Sequence, residues 1–330
     1  MDRANDSPAD FPAPFPPALI VAGPTASGKS ALALDLAARL GGTIVNTDSM
    51  QVYRELRVLT ARPDRDDEAR VPHMLYGVRP AAEAGNAAWW RFAALDAMAA
   101  AAAAGRVPIL TGGTGMYFAA LTQGLADVPD PGDEARAEAR RLLAELGPDA
   151  LHAGLVKVDP ATAARLSPND GQRIARAWEV WRGTGMGLAA WQRRKLPPAP
   201  WRFFAIRLDP PREVLRRAIA ARFAAMVAAG AIEEVRALLA LELDTALPAM
   251  RAHGVPEISA YLRGTMSLEE SGRRTELVTG QYTKRQATWF RHHDLADIGD
   301  TEIFTSRYTE DTKLSDRLVE RIFAFIQRRD

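Results

Sequence analysis

The stretch Gly23-Pro24-Thr25-Ala26-Ser27-Gly28-Lys29-Ser30 decides the fold class of this chain. It fits the phosphate-binding loop pattern, in which two glycines flank four residues and a lysine and a hydroxyl residue follow. The apolar run 18–22 before it predicts a buried strand, and Leu32, Leu36 and Leu40 recur after it at helical spacing. Strand, loop and helix therefore follow in the order that such a loop requires. The alternative interpretation is a glycine-rich turn that binds no ligand.

Each part of this loop has a chemical role in holding phosphate. Gly23 and Gly28 allow the backbone to turn its N–H groups inward, Lys29 supplies a positive charge, and the hydroxyl of Ser30 is a potential Mg²⁺ ligand. A polyphosphate is expected at the N-terminus of the following helix. On its own the loop indicates a nucleotide, which makes ATP a candidate ligand, and leaves the phosphate compound open.

The composition excludes several classes of chemistry. The 330 residues are enough for two ordinary domains, and the formal net charge of +1 means that any nucleic-acid surface must be a local patch. The absence of cysteine excludes thiolate nucleophiles, disulfides and Cys-ligated zinc. The five histidines show no metal-binding spacing.

No segment of the sequence predicts secretion or membrane insertion. Residues 1–17 are proline-rich and polar, which is typical of a disordered lead-in and lacks the apolar core of a signal peptide. The longest apolar stretch, residues 97–104, is far shorter than the about 20 residues that span a bilayer. We expect a cytoplasmic monomer with no membrane partner.

The order of the remaining patterns predicts an α/β protein: a P-loop NTPase-like parallel sheet core with an inserted all-helical domain. Further strands are predicted at residues 43–47, 107–110 and 202–208, and helical patterns without a strand fill the region between the last two. The predicted organisation is a lead-in at 1–17, a core at 18–126 and 197–294 with basic C-terminal helices, an inserted helical domain at 127–196, and a C-terminal tail with a terminal helix at 295–330.

Asp48 is the carboxylate that best matches the loop in position. P-loop kinases usually place a magnesium-binding Asp after an apolar strand, but the strand at 107–110 is followed by Thr111. Asp48 follows the strand at 43–47, and catalytic side chains project from such strand ends. It could hold Mg²⁺ through water, act as a general base on a second substrate, or only cap the segment after the strand.

Two helical segments carry clustered arginine and lysine. In the first, Arg173 and Arg176 lie on nearly the opposite face from Ile174, Trp178 and Trp181, which we interpret as core residues. Paired arginines are usually only a solvated face.

The second segment is a basic helix predicted from about residue 272 to 291. It places Lys284, Thr288 and Arg291 on one face, with aromatic residues interleaved. This pattern suits an RNA backbone with unstacked bases, and it equally suits aromatic residues packed in a core.

Five motifs taken in order resemble the bacterial tRNA dimethylallyltransferases. They occupy residues 23–30, 48–53, 112–117, 168–177 and 284–289, and the resemblance covers about residues 18–294. It implies transfer of a dimethylallyl group from dimethylallyl diphosphate to N6 of the adenine on the 3′ side of the anticodon, with Mg²⁺ as cofactor and release of diphosphate. The implied partners are a tRNA anticodon stem-loop and dimethylallyl diphosphate, which would occupy the loop in place of ATP.

The resemblance also implies roles for individual residues. Residues Gly23, Pro24, Thr25, Ala26, Ser27, Gly28, Lys29 and Ser30 would bind the diphosphate, with Ser30 as the metal ligand, and the catalytic residues would be Asp48, Thr25, Lys29 and Arg222. The inserted domain would bind tRNA. The implied tRNA contacts are Asp48, Ser49, Met50, Gln51, Thr114, Arg136, Gln172, Arg173, Ile174, Ala175, Arg176, Lys284, Arg285, Gln286, Trp289 and Arg291.

Two positions depart from the family pattern. Arg62 stands where family members commonly have lysine, and it keeps the charge without lysine's shape. Pro256 disfavours helix at Val255, which argues against RNA contacts within 251–256.

Two other functions remain open from the sequence. One is a small-molecule P-loop kinase in which the helical insert acts as a lid over ATP. The other is a non-catalytic RNA-binding protein with a relic nucleotide site, in which Asp48 would have no chemical role.

Overall fold

The computed structural model describes residues 15–309 and 311–328. Most of the predicted lead-in, residues 1–14, lies outside the described residues. Within the described part the core begins one residue earlier than predicted, because Pro17 already pairs with Arg202.

A parallel sheet forms the centre of the molecule. The strands of the chain are β1 (Pro17–Ala22), β2 (Thr43–Asn46), β3 (His73–Met74), β4 (Pro108–Gly112), β5 (Leu125–Ala126), β6 (Lys195–Leu196), β7 (Arg202–Leu208) and β8 (Thr301–Phe304). Six of these described strands form one sheet in the order β3-β2-β4-β1-β7-β8, and each described pairing in it is parallel. This sheet and its flanking helices confirm the predicted fold class.

Helices occupy the connections between strands. They are α1 (Lys29–Leu40), α2 (Arg65–Arg70), α3 (Ala87–Ala103), α4 (Gly115–Thr122), α5 (Asp133–Val158), α6 (Pro160–Ala163), α7 (Gly171–Thr184), α8 (Leu188–Trp191), α9 (Arg212–Ala228), α10 (Ala231–Leu239), α11 (Val255–Leu262), α12 (Leu268–Arg291) and α13 (Asp316–Gln327). Short 3-10 helices lie at Ala249–Arg251 and Ile298–Asp300.

The sheet core follows from uninterrupted apolar runs in its central strands. Residues 18–22 of β1 are fully buried, as expected for a parallel strand covered on both faces. In register, Leu19 lies beside Ile109 of β4 on one side and Phe204 of β7 on the other. These pairings bring the ends of β1, β2 and β4 to one edge of the sheet.

The chain separates into two compact units, one of residues 1–122 with 200–330 and the other of residues 123–199. The second unit contains α5 to α8 and the short antiparallel pair β5–β6. Its core includes Leu151, Leu155 and the fully buried Ile174. Trp178 and Trp181 are only partly buried. The prediction that both are core residues gives the correct face of α7 but overstates how deeply the two side chains are buried.

The predicted C-terminal tail belongs to the core instead. Residues 301–304 form β8, the edge strand that pairs with β7. Beyond it, Leu314, Leu318, Ile322 and Phe325 join the same apolar cluster as Leu19 of β1. The sequence did not indicate this strand because edge strands are short and partly polar, and β8 has no buried apolar run.

Two helix starts differ from the sequence prediction. Val255 begins α11 with Pro256 in its first turn, so proline does not exclude helix here. Proline is tolerated at this place because the first N–H groups of a helix have no intrahelical partner. Helix α12 begins at Leu268 rather than near 272, capped by the Ser267 side chain, which accepts from the Glu270 N–H.

None of the helices among residues 15–309 and 311–328 is long and apolar enough to span a bilayer.

Candidate active site

The candidate site lies at the carboxyl edge of the parallel sheet. The phosphate-binding loop follows β1, Asp48 follows β2, and a second glycine turn, residues 112–115, begins at the last residue of β4. Because β2, β4 and β1 are neighbours in the sheet, their ends converge. Open α/β sheets bind ligands at this edge.

A cavity of about 540 Å³ opens beside the loop. Its lining includes Thr25, Lys29, Ser30, Asp48, Gln51 and Arg222. Lys29 is the first residue of α1, and Gly28 before it has a φ of 89°, a left-handed conformation that glycine adopts without strain. The cavity therefore brings together a helix N-terminus, the cations Lys29 and Arg222 with a third described below, and one carboxylate.

Gln286 of α12 holds the loop against the second glycine turn. Its Oε1 accepts hydrogen bonds from the Thr25 N–H at 2.8 Å and the Thr25 hydroxyl at 3.1 Å. Its Nε2 donates to the Gly113 carbonyl at 2.9 Å, and the residue is 4% exposed. The structure thus places this predicted tRNA contact in the interior, where it positions Thr25 and Gly113.

Asp48 both caps a turn and faces the cavity. Its Oδ1 accepts from the Met50 N–H at 3.0 Å, which is the capping role considered from the sequence. Among the described residues no hydrogen bond is made to its Oδ2, and the residue lines the cavity. One carboxylate oxygen is therefore left to accept a proton or a hydrogen bond.

The ammonium group of Lys29 is largely shielded from water. Burial lowers its pKa to about 8, the nearby Asp48 carboxylate opposes that shift, and Arg222 adds to it. Burial also lowers the pKa of Arg222, again opposed by Asp48. Since desolvation penalises both cations, an anion bound between them would be strongly attracted.

Arg222 reaches the cavity from the middle of α9. Its Nη2 donates to the Thr60 carbonyl at 3.3 Å. Thr60 and Ala61 lie in the segment that carries the family departure at Arg62. Arg62 itself packs on Gly77 and donates to the carbonyls of Tyr53 and Arg54, so its role in this structure is to hold that segment.

The second glycine turn approaches its neighbours more closely than a side chain would allow. A Cβ at Gly112 would lie 2.1 Å from the Thr47 carbonyl oxygen, and one at Gly115 would meet the Trp289 ring at 2.3 Å. Thr114 accepts from the Ser49 N–H at 2.9 Å through its hydroxyl. The turn therefore fixes Ser49 and Trp289, two predicted tRNA contacts.

The predicted RNA surface of α12 divides between two sides of the helix. Lys284, Thr288 and Arg291 line a groove of about 520 Å³ against α9. Trp289 instead stacks on His293, with ring centroids 4.1 Å apart. Arg291 forms a bidentate ion pair with Asp209, in which Nε donates to Oδ2 at 2.8 Å and Nη2 donates to Oδ1 at 2.7 Å.

Within the second unit, the predicted tRNA contacts have different degrees of exposure. Gln172, Arg173 and Arg176 are exposed, Ala175 is half-buried, and Ile174 is fully buried in the local core. The Ile174 side chain is therefore excluded as a surface contact, because it packs on the apolar face of α7. Arg136 pairs with Asp130 and Asp133, and Arg176 pairs with Glu179.

Arg307 is a cavity residue that the sequence did not reveal. It lines the same cavity as Lys29 and Arg222, and its Nε donates to the Ala26 carbonyl at 3.0 Å. No motif marks it, since residues 305–309 carry no glycine pattern or helical periodicity. Its position depends on β8, which the sequence analysis did not find.

Fold and site together define an α/β protein of the P-loop class whose cavity combines a phosphate-binding loop with a carboxylate. The IPP transferase family model matches residues 51–293, and the isopentenyl transferase model matches residues 17–79. The chain belongs to the IPP transferase family.

Named relatives agree with this assignment. The chain is 60% identical to the tRNA dimethylallyltransferase of Granulibacter bethesdensis, covering 94% of this chain and 98% of that protein. It is 61% identical to that of Gluconobacter oxydans, covering 94% of each. The resemblance drawn from the five motifs is confirmed, and the chain is a transferase of the tRNA-prenylating kind.

Solved structures give the same result. A eukaryotic dimethylallyltransferase acting on tRNA matches with a TM-score of 0.78 at 26% identity, covering 96% of this chain and 80% of that one. The Bacillus halodurans tRNA isopentenylpyrophosphate transferase matches with a TM-score of 0.63 at 29% identity, covering 94% and 97%. These relatives do not favour the kinase alternative.

Proposed function

We propose that this protein transfers a dimethylallyl group from dimethylallyl diphosphate to N6 of the adenine on the 3′ side of a tRNA anticodon. The observation that carries the proposal is the cavity in which Lys29, Arg222 and the phosphate-binding loop face the free oxygen of Asp48. Such a cavity pairs cations for a leaving diphosphate with one carboxylate for the incoming amine.

The diphosphate needs stabilisation because it gains charge as the bond between its oxygen and C1 of the prenyl group breaks. Lys29, Arg222 and the loop N–H groups supply positive charge and hydrogen-bond donors in a partly desolvated site. Preorganised donors of this kind stabilise charge that develops in a transition state. The Thr25 N–H already donates to Gln286, so Thr25 would fix the shape of the loop around this anion rather than supply a backbone donor to it.

The residues present also fit a magnesium ion. Ser30 is exposed at the cavity and Asp48 lines it, so the donors on offer are oxygen atoms, which Mg²⁺ prefers. Among the described residues, no group of three or more acidic, histidine or cysteine side chains is arranged to hold a metal ion. A magnesium ion here would take its remaining ligands from substrate phosphate and water, as Mg²⁺ commonly does. When bound by Ser30, the ion would supply Lewis-acid neutralisation of the diphosphate.

Asp48 would accept the proton that the adenine amine loses. The new bond joins N6 to C1 of the prenyl group, and the N6 proton passes to the free Oδ2 while diphosphate departs. The bond from the Met50 N–H to Oδ1 holds the carboxylate in place for this step. The adenine must leave its stack to reach the cavity, which is easier in an anticodon loop than in a duplex.

The test uses an unmodified tRNA transcript, radiolabelled dimethylallyl diphosphate and mass spectrometry of the anticodon-loop nucleosides. We expect label on the adenine next to the anticodon with wild-type protein. Asp48→Asn should retain tRNA binding and slow transfer by about 10²-fold or more, because a general base is lost. ATP-dependent phosphorylation of a small acceptor without transfer to tRNA would support the kinase instead, and lost tRNA binding in Asp48→Asn would make Asp48 structural.

A further inference from the structure

The segment after β8 returns to the phosphate-binding loop. We call residues 305–309 the C-terminal strap. The Tyr308 N–H donates to the Ser27 carbonyl at 3.0 Å, and the Tyr308 hydroxyl donates to the Asp35 Oδ2 of α1 at 2.9 Å. The strap is therefore bonded both to the loop and to the helix that follows it.

The loop has the shape that the strap requires. A Cβ at Gly28 would lie 2.1 Å from the Tyr308 carbonyl oxygen, so only glycine leaves room for the strap. Ala26 has a φ of 66°, a left-handed conformation that is uncommon outside glycine. Its carbonyl accepts from the Arg307 Nε at 3.0 Å, so the strap stabilises this turn of the loop.

One of the five N–H groups of the Arg307 guanidinium makes that bond. Across residues 15–309 and 311–328, the structure gives Arg307 no carboxylate partner within ion-pair distance. The side chain lines the cavity that also contains Lys29, Ser30 and Arg222. The geometry thus adds a cation to a cavity already suited to a polyanion.

We propose that Arg307 is a further ligand of the diphosphate. The C-terminal strap positions it at the cavity, and it lies outside the five recognised motifs. The proposal rests on the proposed function, since it assigns another residue to the same diphosphate. Nε holds the Ala26 carbonyl, and the remaining guanidinium N–H groups bind phosphate oxygens of the donor and of the released product. Arginine suits this task because its planar fork binds phosphate through parallel hydrogen bonds.

The test is calorimetric titration of the full-length protein with inorganic pyrophosphate in Mg²⁺ buffer, at several salt concentrations. Removing a charge-assisted contact should weaken pyrophosphate binding by about tenfold or more in Arg307→Gln. The dependence on salt should become shallower, and Arg307→Lys should restore part of both. Arg317→Gln is the matched control, an exposed arginine in the first turn of α13 that does not line the cavity.

The outcomes separate this proposal from the function on which it rests. Wild-type protein that binds no pyrophosphate would overturn the diphosphate site itself and Arg307 with it. Normal binding by Arg307→Gln beside a loss in Lys29→Ala would overturn the Arg307 assignment alone. Equal weakening in Arg307→Gln and Arg307→Lys with an unchanged salt slope would show that Arg307 only holds Ala26. If Arg307→Gln shows no cooperative thermal unfolding, Arg307→Met, which also removes the charge, provides the same comparison.

Discussion

Protonation of Lys29 costs free energy, because its ammonium group is desolvated at the first turn of α1. Burial lowers its pKa to about 8, so Lys29 loses its proton at a lower pH than a solvated lysine does. A diphosphate in the cavity would favour the protonated form and so recover part of that cost. The same residue therefore links donor binding to pH.

The lowered pKa of Lys29 predicts how donor binding depends on pH. Below about pH 8 free Lys29 is protonated and attracts the diphosphate; above it the charge is lost. The kcat/KM for dimethylallyl diphosphate, measured from pH 6 to 10 with saturating tRNA, should fall on the alkaline side with an apparent pKa of about 8. Bound diphosphate raises the pKa of Lys29, so the fall in kcat should come at higher pH.

Lys29→Arg is the control for this profile. Arginine stays protonated throughout, so the variant should lose the alkaline fall even if its activity is lower. A wild-type kcat/KM that stays flat to pH 10, or an unchanged fall in Lys29→Arg, would assign the titration to another group.

Gln286 illustrates what the sequence could and could not predict at this scale. The motif around it was recognisable, and the resemblance implied a tRNA contact at Gln286. Its burial was not predictable, because a polar residue on a helix is buried only when a partner offers donors and acceptors at the right distance. Here the partners are Thr25 and Gly113, which are 261 and 173 residues away in sequence.

At the scale of the element, α12 is not uniformly basic. Near its N-terminus Arg273 and Arg274 pair with Glu269 and Glu270, so their charge is largely neutralised. Lys284, near the other end, is exposed and forms no ion pair with a described residue. The prediction found the cluster of arginine and lysine but missed this division, because it began the helix near residue 272 and so left Glu269 and Glu270 outside it. Both acids lie at i, i+4 spacing from their arginines.

Removing single charges from α12 should therefore have unequal effects on tRNA binding. Lys284→Ala should weaken binding and reduce the slope of log K against log salt concentration by about 0.7 to 0.9, the value for one phosphate contact. Arg274→Ala, on the same helix and already paired with Glu270, should leave that slope unchanged. Filter binding of a tRNA transcript over a salt series measures both, and equal slopes in wild type and Lys284→Ala would make Lys284 an ordinary solvated residue.

At the scale of the whole molecule, the C-terminal region completes the core. The central strands were predictable from apolar runs and the loop between β1 and α1 from its motif. The edge strand β8 and the packing of α13 were not, since both depend on a partner surface that forms only when the sheet is assembled. Phe325 shows this dependence: it is 2% exposed and meets Phe204 of β7 with ring centroids 5.6 Å apart.

If α13 is part of the core, truncating its buried aromatic residue should destabilise the whole protein. Phe325→Ala should lower the free energy of unfolding by about 3–5 kcal/mol, the usual range for Phe→Ala in a packed core. Phe323→Ala, two residues away and 41% exposed, should change it by no more than about 0.5 kcal/mol. Urea unfolding of the three proteins makes the comparison. Equal stabilities would contradict the packing of α13 in the core, whereas a loss confined to Phe325→Ala would confirm that α13 stabilises the sheet from which the C-terminal strap reaches the phosphate-binding loop.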